Sequence, residues 1–165
     1  MSLLTTTDEE YLQAAIDLSR HALEDQGKTP FGAILVLDDK ILGEGTSSVI
    51  EFFDPSAHAE VMALRNSAQK MKQHLFPDSV LYSSSEPCPM CLTACYWAQV
   101  SRIVFGATTY DVATYGFEDL QLYRELARNI SKRSLPEVCA EEPLRTRAAD
   151  VLREWAENFP GTVTP

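Results

Sequence analysis

Long apolar runs are missing from this 165-residue sequence: the longest, around Phe31–Leu37, is far short of the ~20 residues that a membrane-spanning helix needs. No basic segment leading into an apolar stretch opens the chain, so no secretory signal is expected. Glycine (7) and proline (9) are too sparse for collagen-like or low-complexity chains. Positive charge is also short, with 14 Lys and Arg against 24 Asp and Glu and a net charge of -10. The deficit is spread, 6 basic against 13 acidic residues over 1–85 and 8 against 11 over 86–165, so no basic stripe is available to track a phosphate backbone. Cysteine is sparse and unevenly placed. Of Cys88, Cys91, Cys95 and Cys139, three fall within eight residues, too clustered for a disulfide framework. These absences leave a cytoplasmic globular protein, with neither a membrane nor nucleic acid expected as partner.

What is present alternates. A helix starts near Thr7, with Glu10 three residues on as a capping box, and Leu12, Ala15, Ile16, Ser19, Ala22 and Leu23 follow helical spacing. Phe31–Leu37 reads as a strand, Asp38-Asp39-Lys40 as its turn and Ile41–Val49 as the returning strand. A loop over Glu51–Ala57 leads to a helix over His58–Met71. A strand over Ser79–Ser83, a tight turn over Glu86–Cys91 and a helix over Cys91–Gln99 come next. A strand over Arg102–Ala107 and a helix over Leu120–Arg128 follow, and a last helix spans Leu144–Asn158. This α-β-β-α-β-α-β-α order predicts one α/β domain, a sheet covered by helices on both faces.

Two short segments carry the chemistry: His58-Ala59-Glu60 and Pro87-Cys88-Pro89-Met90-Cys91. Each sits where the chain passes into a helix. Residues three apart share a helical face, so Cys88 and Cys91 can point at one ion. Residues two apart do not, so of His58 and Glu60 one binds and the other stands beside the open position. A helix N-terminus favours thiolate over thiol, and one imidazole with two thiolates suits zinc. A closed structural zinc site wants four protein ligands, and no second C-x-x-C or H-x3-5-H pair supplies a fourth. Cys95, His21, His74 and Cys139 read as structural or surface residues. Three ligands leave a position open to water, the arrangement of a catalytic zinc, one per chain, with Glu60 placed to carry protons.

The H-x-E…P-C-x-x-C pattern is the signature of zinc nucleobase deaminases. From about Pro30 to Arg128 the chain resembles the cytidine deaminase-like superfamily, and its wording is nearest to the bacterial guanine deaminases. Pro30-Phe31-Gly32-Ala33, Asp54-Pro55-Ser56-Ala57-His58-Ala59-Glu60-Val61 and Glu86-Pro87-Cys88-Pro89-Met90-Cys91-Leu92 are shared widely, including with tRNA adenosine deaminases. Tyr96-Trp97-Ala98 and Gly116-Phe117-Glu118-Asp119 resemble guanine deaminases in particular.

The resemblance implies a three-layer α-β-α sandwich, with a mixed central sheet of about five strands in one CMP/dCMP-type deaminase domain over 1–165. A helical tail would begin near residue 136. It implies that His58, Cys88 and Cys91 bind zinc, that Glu60 is catalytic, and that Phe31, Ser47, Trp97 and Asp119 contact a small nucleobase substrate. It also implies a homodimer. Two departures bear on the substrate. Ser47 stands where many relatives carry asparagine, and the ending Gly161-Thr162-Val163-Thr164-Pro165 lacks a terminal aromatic found in some guanine deaminases. The expected reaction is guanine to xanthine plus ammonia. The alternatives are deamination of another aminated heterocycle or nucleoside (cytosine, adenine, a pterin, a triazine, cytidine), a tRNA adenosine deaminase, and a non-catalytic zinc-binding module. Phe52 and Phe53 are candidates for an added apolar wall.

Overall fold

A computed structural model describes residues 4–117, 119–159 and 161. Among the described residues, seven α-helices and four strands follow one another as α1 (Thr6–Arg20), β1 (Thr29–Leu37), β2 (Lys40–Ser47), α2 (Val49–Phe52), α3 (Ala59–Met71), β3 (Val80–Ser85), α4 (Pro89–Trp97), β4 (Arg102–Ala107), α5 (Thr109–Thr114), α6 (Asp119–Leu126) and α7 (Leu144–Asn158). The chain divides into two compact units, Met1–Tyr123 and Arg124–Pro165.

The first unit contains a mixed sheet of order β2-β1-β3-β4. β1 pairs antiparallel with β2 and β3, and β3 pairs parallel with β4. The β1–β2 hairpin closes through Asp38 and Asp39, both at positive φ (49° and 57°), the backbone that a two-residue turn of a right-twisted hairpin needs. The parallel β3–β4 pair needs a crossover, which α4 provides. Alternation along the strands divides the core in two. Ala33, Leu35 and Leu81 pack with Ala59, Ala63 and Leu64 of α3 and Cys95 of α4, while Ile34, Val36, Tyr82 and Val104 pack with Ala15 and its neighbours on α1.

Helix α3 lies against β2 at a separation that only glycine permits. A Cβ on Gly45 would lie 2.1 Å from the Ala59 carbonyl oxygen and 2.5 Å from the Ala63 nitrogen, and one on Gly43 2.6 Å from the Ser67 nitrogen. Ala59, Ala63 and Ser67 are spaced four apart, so a stripe of small side chains faces the two glycines. This close approach fixes where α3 begins.

The structure departs from the sequence-based expectations at several points. The α1 capping box is Thr5 with Asp8 rather than Thr7 with Glu10. Asp8 is drawn to that place by partners remote in sequence: Arg102 donates to both carboxylate oxygens at 3.1 and 2.9 Å, and the Tyr82 hydroxyl donates at 2.8 Å. The sheet has four strands among the described residues where about five were expected. The expected loop after β2 contains the single turn α2, and α5, absent from the sequence reading, is capped by a Thr108–Asp111 box. β4 and α7 have the expected bounds, and α6 runs from Asp119 to Leu126 rather than Leu120 to Arg128. Glu118 and residues 162–165, which figure in the resemblance, lie outside the described residues.

In the second unit Glu125 pairs with Arg128 and accepts from the Ser134 backbone N–H and hydroxyl. Helix α7 has no buried residue, and Leu144, Val151, Leu152, Trp155 and Phe159 are all exposed.

Candidate metal centre and base cavity

Two helix N-termini converge on one spot. His58 is the N-cap of α3 and Cys88 the N-cap of α4, both with extended backbone (ψ 156° and 167°), and neither side chain caps its own helix. Their donor atoms are left free to face each other. His58 Nδ1 lies 3.6 Å from Cys88 Sγ, and the Cys88 and Cys91 sulfurs are 3.5 Å apart. The three ligand atoms all fall within 4.8 Å of one another. The loop leading to His58 is braced by Asp54, which accepts from the Ser56 N–H and hydroxyl while Arg65 donates to Asp54 at 3.1 Å and to Ser56 at 3.0 Å. On the other side, the Tyr123 hydroxyl donates to the Pro87 carbonyl at 2.6 Å, immediately before Cys88.

The electrostatics suit a cation. The side-chain hydrogen bond with Cys91 brings the Cys88 thiol down to about 4 against the effect of burial, with His58 assisting. The same hydrogen bond, burial and the nearby Glu60 push Cys91 up. His58 is raised, chiefly by its hydrogen bond with Cys88, and burial opposes the shift. A metal ion bound here would displace the thiol protons, because thiolate ligands bind by releasing theirs. Zinc bound about 2.3 Å from sulfur and about 2.0–2.1 Å from nitrogen in a tetrahedral site has donor–donor edges of roughly 3.6–3.8 Å. The 3.6 Å nitrogen–sulfur edge falls in that range and the 3.5 Å sulfur–sulfur edge lies just below it, within reach of a small side-chain rotation, so His58, Cys88 and Cys91 can hold one zinc ion.

Glu60, one residue into α3, is 4 % exposed. Burial raises its pKa, opposed by hydrogen bonds from its own backbone, Cys91 and Ser83, whose hydroxyl donates to Oε1 at 3.1 Å from β3. Among the described residues no Lys or Arg pairs with it, and its charge helps to raise His58. A cavity of about 310 Å³ opens over Glu60, His58 and Cys88, and Phe31, Ser47 and Asp119 line it as well. Asp119 is raised, first by burial and then by the charge of Cys88, with His58 opposing. Ser47 is buried and its oxygen accepts from the Thr29 hydroxyl.

Not every expected residue arrives here. Trp97 lies at the end of α4, 63 % exposed, and does not line the cavity; Phe53 is 94 % exposed and Phe52 half-exposed, and neither contributes a wall. Cys95 is in the core, where burial lifts its thiol to about 12, and His21, His74 and Cys139 are exposed. The sequence reading missed Ser83 and Ser85, from β3, and Thr29, Val49, Phe117 and Leu122, which complete the cavity. A run of three serines directly before Glu86-Pro87-Cys88, in a strand otherwise apolar, was the available signal for the first two.

Residues 5–107 match the family described as the cytidine and deoxycytidylate deaminase zinc-binding region. The guanine deaminase of Bacillus subtilis is 38% identical over 128 residues, covering 78% of this chain and 82% of its own. The tRNA-specific adenosine deaminase of Haemophilus influenzae is 36% identical over 141 residues, covering 82% of this chain and 80% of its own. The X-ray structure of guanine deaminase from Bacillus subtilis superposes with a TM-score of 0.85 at 32% identity, over 98% of this chain and 99% of that one.

Proposed function

The chain belongs to the cytidine and deoxycytidylate deaminase zinc-binding family, and we propose that this zinc-dependent hydrolytic deaminase converts guanine to xanthine and ammonia. The observation that carries the reading is a buried carboxylate with no Lys or Arg partner among the described residues, set beside a three-donor metal site at the floor of a cavity with an aromatic wall and a second acid.

His58, Cys88 and Cys91 would hold the zinc, which when bound would act as a Lewis acid and lower the pKa of a water molecule to about 7. Glu60 takes a proton from the attacking water, delivers it to the ring nitrogen beside the amine-bearing carbon, and carries the second proton to the departing amine. The carbon–nitrogen bond breaks, a carbonyl replaces it, and ammonia leaves. Burial suits Glu60 to this exchange, because raising its pKa makes its carboxylate a better proton acceptor. Ser83 holds one carboxylate oxygen and so fixes its direction. Phe31 offers the base an apolar surface, and Asp119 and Ser47 accept hydrogen bonds from its N–H groups.

A tRNA substrate is the second reading, favoured by the Haemophilus relative. The net charge of -10 opposes it, since an RNA backbone calls for cationic contacts. We place the enzyme in the cytoplasm as a homodimer. The exposed apolar positions of α7 support the dimer, and no helix among the described residues is long and apolar enough to cross a membrane. The test is ammonia release and ultraviolet absorbance from zinc-loaded protein given guanine, cytosine, adenine or an anticodon stem-loop. Turnover of guanine with none of the stem-loop is expected; the opposite pattern overturns the assignment.

A further inference from the structure

Two cavities lie back to back in the first unit. The base cavity has a volume of about 310 Å³, at the small end of the roughly 300–1,000 Å³ typical of ligand sites. The second, about 290 Å³, contains no metal-ligating set and is bounded largely by apolar side chains, among them Ile16, Pro30, Val112 and Tyr115. Phe31, Ser85 and Phe117 line both. The Phe31 and Phe117 rings meet edge to face, centroids 4.9 Å apart at 80°, so this pair stands between the two spaces. Phe31 is fixed in β1, whereas Phe117 is set by the turn after α5, where Gly116 takes φ 90° and the Phe117 N–H donates to the Val112 carbonyl at 3.3 Å.

We propose that Phe117 is a specificity-determining residue: its ring closes the base cavity against the second cavity and so limits the substrate to an unsubstituted base. The inference rests on the reading of the site as a nucleobase deaminase. Phe31 backs the base from a rigid strand, and Phe117 completes the partition from a turn. Removal of the Phe117 ring joins the two spaces. Because the added room is mostly apolar, it admits an apolar substituent and gives no comparable welcome to a ribosyl group.

The test compares wild type with Phe117→Ala and Phe117→Leu on guanine, on 7-, 8- and 9-benzylguanine, and on guanosine as the polar control. Zinc content is measured in each protein. Calorimetric binding of the same compounds, with Glu60→Gln added to each protein, provides a readout apart from turnover. In Phe117→Ala, at least one benzylguanine should gain tenfold or more over guanine in kcat/KM and in affinity, with a smaller gain in Phe117→Leu and none for guanosine. Leu122→Ala, which widens only the base cavity, should not reproduce the gain. Unchanged ratios in a zinc-loaded Phe117→Ala or Phe117→Leu protein overturn the partition. A wild type that turns over no guanine overturns the guanine assignment instead, and the calorimetric ratios then decide the partition on their own.

Discussion

Asp8 and Glu60 are both acids in the first turn of a helix, both nearly sealed from water at 2 % and 4 % exposure, and they titrate in opposite directions. Arg102 grips Asp8 with two hydrogen bonds, and Thr5 and Tyr82 add more, so the carboxyl is held well below its usual range. Glu60 has hydroxyl, thiol and backbone partners and, among the described residues, no Lys or Arg, so burial dominates and its pKa rises. Helix position alone therefore does not decide what a buried acid does. A guanidinium makes Asp8 a fixed tie between α1, β3 and β4, and the want of one leaves Glu60 able to exchange a proton.

The contrast can be broken from either side. Shortening Glu60 to Asp keeps the charge and moves the carboxylate back by one methylene. An error of about 1 Å in such a group costs on the order of 100-fold, and steady-state kinetics should show that loss in kcat with zinc content unchanged. Asp8→Asn should leave kcat intact and cost roughly 3 kcal/mol in urea unfolding. That is the low end for breaking a buried pair, because Arg102 is half in water and can be rehydrated. The sign of the pH effect follows from the lowered pKa. The Asp8 contribution is complete above its unfolded value of 3.8 and disappears as pH falls from there through the folded value. The stability gap between wild type and Asp8→Asn should therefore be constant above about pH 5, narrow as pH falls below 3.8, and still be open at pH 3. The smallest effect is expected from Tyr82→Phe, about 1 kcal/mol for one hydrogen bond, and a larger loss would shift the tie from Arg102 to Tyr82.

The metal site was legible because its parts are close in sequence. Cys88 and Cys91 sit within one helical turn, and Glu60 follows His58 by two residues, so donor chemistry and spacing were enough. What strands and turns assemble was not legible. Ser83 reaches Glu60 through the position of β3, with the serine run as its one local sign, and Phe117 meets Phe31 across 86 residues of chain. The α1 cap failed for a related reason. Thr5/Asp8 and Thr7/Glu10 are both three apart, and Arg102, 94 residues away from Asp8, selects between them. Gly43 and Gly45 looked like ordinary strand residues until α3 was seen to rest on them. Trp97 shows the limit of resemblance: a shared word in the sequence ends on the exposed end of α4, outside the cavity.

The most direct test of the account is guanine turnover by Glu60→Gln, measured beside its zinc content. Glutamine keeps the shape and cannot exchange the proton, so the variant should bind one zinc per chain as wild type does while turnover falls by about 10²–10⁴-fold. A zinc-loaded Glu60→Gln protein that deaminates guanine at the wild-type rate would contradict it.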